Sequence, residues 1–203
     1  PEMRQEMAYE SQMMGHCVGQ FADRKRFSGG YGEHYAEGLE SGKMRLFSYR
    51  TGSAQPRITV NAFVQPDGLL QIEQIKGKQN RPPIARYLPD VVALLNHLPL
   101  NDEVPGDAIA MGVVRRPSHV LQAQPDLSPW CAVQDLQSDA EQLWLMQQHP
   151  QLLVQLELKN PLMQWMVAAR KDHVDSEVLD RMPKTTALQQ TLQLAKKRPA
   201  RAG

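Results

Sequence analysis

The sequence predicts an α+β protein: a small antiparallel meander sheet packed on helices, followed by a mainly helical C-terminal region. Three observations carry that expectation. Three runs rich in β-formers follow one another between Lys43 and Ile75, joined by short turn-forming connections. Segments with helical spacing of apolar residues flank them on both sides. Ten of the 13 glycines lie between Gly15 and Gly77, whereas the rest of the chain is rich in Gln and Leu. That change of texture divides the chain into an α+β core, residues 1–114, and a helical region, residues 115–203, which can still belong to one domain.

Taken in order, Glu2–Met14 is rich in Met, Glu and Gln, lacks Gly and Pro, and predicts a helix stopped by Gly15. Gly15–Gly32 reads as a loop with turn chemistry in Phe27-Ser28-Gly29-Gly30-Tyr31-Gly32, and Glu33–Glu40 as a short helix closed by Ser41-Gly42. Lys43–Arg50, Arg57–Val64 and Leu69–Ile75 are the three strands. The turn Pro66-Asp67-Gly68 has a mechanism, because Pro presets φ and Gly accepts a positive one. Pro83 suits the first turn of a helix over Ile84–Leu98. Its stripe of Ile84, Tyr87, Leu88, Val91, Leu94, Leu95 and Leu98 is expected to pack on the sheet. Pro89 separates or kinks its first turn. Asp107–Val114 is expected as a fourth strand and Arg115–Pro129 as a connector. From Asp135 the pattern turns helical, interrupted by Pro150. Leu162, Trp165, Met166 and Ala169 make a further stripe, and Val174–Arg181 and Thr185–Lys197 two short helices. No solenoid period is present, and the basic tail Lys196, Lys197, Arg198 and Arg201 reads as solvated.

The 203 residues suffice to bury a core without disulfides or metals. Lys plus Arg number 23 against 22 Asp plus Glu, a net charge of +1. Bulk charge therefore does not drive this chain onto nucleic acid or membrane, although a local basic patch is allowed. No stretch is long and apolar enough to span a bilayer. Two cysteines, Cys17 and Cys131, exclude a disulfide framework and a four-cysteine zinc site. The chain begins at Pro1 without a signal-peptide pattern, which reads as a piece of a longer or processed protein. A reducing compartment is expected, namely bacterial cytoplasm, or a target cell if the piece is a delivered effector.

The sharpest chemical feature is Gly15-His16-Cys17-Val18-Gly19. Glycines on both sides permit unusual dihedrals and close approach of another backbone or a substrate. A cysteine becomes a nucleophile as its thiolate, so it needs a base or cation nearby. His16 is adjacent, but neighbouring side chains often diverge, and His34 is a second candidate base. The alternative is a small buried Cys17 beside a structural His16. A metal site from His16, Cys17 and His34 is not expected, because adjacent residues seldom both reach one ion. A polar and cationic set of Arg50, Arg57, Lys76, Lys78, Asn80, Arg81 and Arg86 either grips an anionic ligand or protects a solvated sheet edge. Arg24, Lys25 and Arg26, with aromatic residues nearby, can make weak nucleic-acid contact, or simply face solvent. Trp130, Trp144 and Trp165 read as core.

The order of these pieces resembles the PcfJ-like family of bacterial plasmids, phages and other mobile elements. The likeness is carried by Met14–Gln20, Lys43–Arg50, Pro56–Phe63 and Leu70–Pro83. Its pattern falls on His16, Cys17, Val18 and Gly19, then Ser48 and Arg50, Pro56 and Thr59, and Gln74, Gly77 and Asn80. With the supporting helix it spans residues 14–98, and the region after residue 100 has no counterpart. The loop between Gly19 and Gly42 is longer and more basic than the family pattern, and Tyr49 stands where an aliphatic residue is usual. The resemblance implies an active or binding site and no established reaction.

Two functions follow as expectations. One is a cysteine-dependent hydrolase or transferase, from an effector, toxin or mobile element, acting on a polar small molecule or a protein. Cys17 is then the nucleophile, with His16 or His34 as base, and Arg50, Thr59, Gln74 and Asn80 bind substrate. No cofactor is called for. The other is a non-enzymatic accessory domain that binds nucleic acid or protein, with the helical C-terminal region holding a protein partner.

Overall fold

The protein is described here by a computed structural model covering residues 2–21, 30–52, 54–156, 158, 160, 161, 163, 164 and 166. It is α+β, with a three-stranded antiparallel sheet packed on helices and a mainly helical region after it. The chain divides into two compact units, Pro1–Arg115 and Arg116–Gly203.

The first unit is built on a meander of β1 (Met44–Arg50), β2 (Pro56–Val64) and β3 (Leu70–Lys76), in that order. Side chains alternate across a pleated sheet, so register decides which residues share a face. Leu46 pairs with Asn61 and Asn61 with Gln74, while Ser48 pairs with Thr59 and Thr59 with Lys76. One face is therefore mostly polar. The other carries Ile58, Val60 and Ile75, each about 1% exposed. A bulge at Glu73 breaks the β2–β3 register between Asn61 and Ala62. A bulge of this kind re-aims side chains next to a site.

Helices cover both faces. α1 (Glu2–Met14) packs on β2 with Met7, Glu10, Ser11 and Met14 inward, the spacing of one helical stripe. Two of those four residues are polar. α2 (Tyr31–Glu40) packs on β1, where a Cβ at Gly38 would lie 2.3 Å from Met44 Sδ. It begins at Tyr31, two residues before the expected Glu33. On the apolar side lies α3 (Leu88–His97), where Tyr49 meets Tyr87 edge to face at 5.5 Å and donates to Asp90 Oδ2 at 2.9 Å.

The helix expected from Ile84 starts later. Ile84 is extended and 58% exposed, Ala85–Tyr87 forms a single 3-10 turn, and Pro89 sits in the first turn of α3. Proline fits there because those N–H groups have no helical acceptor. The buried stripe shrinks to Tyr87, Val91 and Leu95. The expected strand Asp107–Val114 is also corrected. Gly106–Ala110 is a short helix, α4, entered from Pro105, and only Val113–Arg115 (β4) is extended, after Gly112 at φ +75. Alanines favour the helix, and the positive φ of Gly112 ends it. Asp107 in α4 accepts from Ile75 N–H and Lys76 Nζ, both at 2.8 Å, and so covers the open edge of β3.

In the second unit, the expected connector contains a helix, α5 (Ser118–Ala123), started by Pro117. Strand β5 (Trp130–Ala132) and α6 (Asp139–Gln148) follow. Ser138 and Glu141 form a reciprocal cap at the start of α6. Arg116 Nε donates to Glu141 Oε1 at 2.5 Å, with both side chains about 5% exposed. Pro150 opens a 3-10 turn, Pro150–Gln155, in place of a continued α-helix. Leu162, Trp165, Ala169 and the two helices expected over Val174–Lys197 lie outside the described residues. Among the described residues, no helix is long and apolar enough to cross a membrane.

Candidate functional site

The site begins where α1 ends. Gly15, at φ +69, turns the chain back, and its N–H bonds Ser11 O at 2.8 Å. Ser11 Oγ then donates to the His16 carbonyl and accepts from Gly19 N–H at 3.0 Å. Gly19 lies flat on the helix, and a Cβ there would sit 1.9 Å from Met7 O. Glycine is thus required by contact, and the turn is clamped to α1. His16 is 5% exposed, Val18 is buried and Cys17 is half-buried.

His16 stands at the end of a buried polar chain. Thr59 Oγ1 donates to Glu10 Oε1 at 2.6 Å, and His16 Nε2 lies 2.9 Å from the same Oγ1. A hydroxyl has one hydrogen, and Glu10 takes it. Thr59 therefore accepts from His16 Nε2–H, which leaves Nδ1 with its lone pair. That nitrogen is buried and without a partner. Burial lowers the His16 pKa below 6.5, against the pull of Glu10, so the imidazole is neutral at pH 7. On its other oxygen Glu10 accepts from Ser48 Oγ at 2.7 Å and meets Arg50 Nη2 at 3.4 Å.

His16 and Cys17 open on a cleft lined also by Val18, Tyr35, Leu46, Thr59, Asn61, Gln74, Lys76 and Asn80. Its volume is about 20 Å³, room for roughly one water. That admits a single reacting group rather than a whole substrate. Tyr35, from α2, hydrogen-bonds Cys17, and burial first and the sulfur second raise its pKa above 10, so the phenol keeps its proton. Asn80 follows Gln79 in a left-handed turn, at φ 57 and 58. Such backbone is strained for non-glycine residues and concentrates at functional sites.

Of the catalytic and substrate-binding residues expected from sequence, His16, Cys17, Thr59, Gln74 and Asn80 meet at this cleft, joined by Lys76 of the cationic set. Two do not. His34 is exposed on α2 and packs edge to face on Tyr35 at 5.6 Å, so its neighbour and not its own ring lines the cleft. Arg50 lies behind Glu10, tied to Glu6 Oε2 at 3.0 Å and to Ser48 Oγ at 3.1 Å. It steadies Glu10 and does not line the cleft. Sequence reasoning missed Glu10, Ser11, Tyr35 and Asn61. A signal existed for three of them: Glu10 and Ser11 occupy the apolar stripe of α1, and Asn61 interrupts the apolar run of the central strand.

Cys131 is of another kind. It is buried, and desolvation pushes its thiol up to about 12 despite Arg116. Among the described residues, no group of three His, Cys, Asp or Glu is placed to hold a metal ion. The basic run Arg24, Lys25 and Arg26 lies outside the described residues. No protein-family model, curated protein or solved structure matches this chain.

Proposed function

We propose that this chain is a PcfJ-like domain that acts as a cysteine-dependent acyl hydrolase or transferase on a polar substrate. One observation carries the reading: a buried Glu10–Thr59–His16 chain leaves Nδ1 without a partner on a histidine that lines the same cleft as Cys17. Nucleophile, base and orienting group are the parts that cysteine catalysis needs. The resemblance to the family supports it, because motif residues spread from His16 to Asn80 converge on one cleft only when folded.

In this reading the steps are as follows. Nδ1 takes the thiol proton as Cys17 Sγ attacks an acyl carbon, forming the S–C bond. Tyr35 O–H steadies the negative charge that develops on sulfur during the transfer. Lys76 Nζ, with one of its three hydrogens on Asp107, and the Gln74 and Asn80 side chains supply donors for the carbonyl oxygen. The bond to the leaving group breaks, and that group carries off the proton from Nδ1. Water, or an acceptor hydroxyl or amine, then cleaves the thioester with Nδ1 again as base. The cleft admits one reacting group, so the remainder of the substrate lies outside it.

The test is alkylation by iodoacetamide at pH 7, followed residue by residue by mass spectrometry. Cys17 is expected to react faster than glutathione, and His16→Gln to slow it at least tenfold with melting temperature little changed. Equal rates for wild type, variant and glutathione overturn the reading.

A further inference from the structure

Asn61 is an acceptor with nothing to accept. It is 4% exposed and sits in the central strand beside Thr59 on the polar face. Its Nδ2 donates to Glu73 Oε2 at 2.5 Å. A carboxylate accepts only, so this contact fixes the amide: nitrogen to Glu73, oxygen to the other side. That oxygen, Oδ1, is buried and unpartnered, and Asn61 lines the cleft with His16 and Cys17. An orphaned buried acceptor costs roughly 1–3 kcal/mol and is uncommon in folded proteins. The bulge at Glu73 is what presents both members of this pair, since it brings Glu73 out of register beside Asn61. An apolar residue would fill a central strand at lower cost, and so the unmet oxygen points to a ligand.

Building on the proposed cysteine chemistry, we infer that Asn61 selects the substrate, and that the scissile group is a carboxamide bearing N–H, such as a primary amide. The substrate nitrogen donates one hydrogen to Asn61 Oδ1. Once Nδ1 has taken the thiol proton, Nδ1–H faces the same nitrogen as it leaves. The balance is complete: Sγ–C forms, C–N breaks, ammonia departs with the proton from Nδ1, and water then releases the carboxylic acid and free thiol. An ester, a carboxylate or a ketone would set an acceptor or a methyl group against Oδ1. A site built to bind an N–H rejects analogues lacking it more strongly than an apolar pocket rejects a misfit.

Three small electrophiles test this on Cys131→Ser protein: chloroacetamide, chloroacetone and chloroacetate. They place NH2, CH3 and an anionic oxygen at the same point. Each Cys17 rate is divided by the rate with glutathione, which removes intrinsic reactivity. The expected result is a normalised preference of at least tenfold for chloroacetamide, reduced to near unity in Asn61→Val. A normalised ratio near one in wild type, with Cys17 still reacting faster than glutathione, overturns the amide selectivity and leaves the nucleophile standing. Rates no faster than glutathione for all three overturn both. The wild-type ratios decide the matter even if Asn61→Val does not fold, and Asn61→Asp, which keeps the acceptor, is expected to retain more of the preference than Val.

Discussion

Thr59 decides which nitrogen of His16 carries the hydrogen. Its single hydrogen goes to Glu10, so it can only accept from Nε2–H. Thr59→Val keeps the shape and removes the relay. It leaves His16 Nε2 and Glu10 Oε1 without their partner, at roughly 1–3 kcal/mol for each buried group. The variant is expected to melt lower and to lose at least tenfold in Cys17 alkylation, whereas Thr59→Ser restores most of both. Calorimetry and alkylation on the same samples check this. Glu10→Gln is the complementary case. An amide can serve Thr59 with its oxygen, but its NH2 then opposes the Ser48 and Arg50 donors, so stability is expected to fall by about 1–3 kcal/mol. At this scale His16, Cys17, Thr59, Gln74 and Asn80 were legible in the sequence because residue type and order carry their chemistry. Glu10 was not, because a glutamate in a Glu-rich helix looks like its solvated neighbours until the buried stripe is counted. His34 misled for the opposite reason: its type was right and its helix turned it to solvent.

Elements hold these side chains at fixed distances. The turn after α1 is clamped twice, by Ser11 Oγ and by the bare face of Gly19 against Met7 O. Gly19→Ala would place a carbon 1.9 Å from a helix carbonyl, so the turn must move. The expected outcome is a loss of about 1–3 kcal/mol, the range of an overpacked core, and Cys17 reactivity close to that of glutathione. Urea denaturation and alkylation together measure it. Ser11→Ala should give a milder version, because it removes two hydrogen bonds and adds no clash. The meander was legible from its alternation and its Pro66-Asp67-Gly68 turn. The bulge at Glu73 was not, since nothing in Leu70–Lys76 marks an extra residue until the strand is paired. Asp107–Ala110 read as the start of a strand because Ala108, Ile109 and Ala110 suit either period, and the entry from Pro105 settled it as helix.

At the scale of the whole molecule, each unit buries a titrating group whose charge is tied to folding. His16 in the first unit has its pKa lowered by burial. The unfolded chain therefore binds a proton near pH 6.5 that the native state refuses, and stability falls as pH drops from 6.5 toward the lower native value. Glu141 in the second unit behaves differently. Burial acts to raise it, but Arg116 and Ser138 outweigh that and hold the carboxyl below its usual range. Its contribution is present above about pH 4.3 and is lost as pH falls through the native value. Thermal melts from pH 7 to 2 should show a first decline beginning near 6.5 in wild type and a second below about 4.3. His16→Gln should weaken that first decline, the rest coming from His149, whose pKa is also lowered by burial, and should keep the lower one. The two-part texture of glycine-rich and leucine-rich sequence made the α+β core and the helical region visible beforehand. The buried ion pair that organises α6 was not visible, since Arg116 and Glu141 are 25 residues apart and ordinary in type.

The most direct test of the central claim is the pH–rate profile of Cys17 alkylation in Cys131→Ser protein, with and without His16→Gln. If neutral His16 removes the thiol proton, the wild-type rate is level through neutrality and falls only below pH 6.5, where His16 itself takes up a proton. The His16→Gln rate then climbs about tenfold per pH unit toward the free-thiol value of about 8.5. A wild-type profile that already climbs in that way, superimposed on the variant, would contradict the account and leave His16 and Cys17 as structural neighbours.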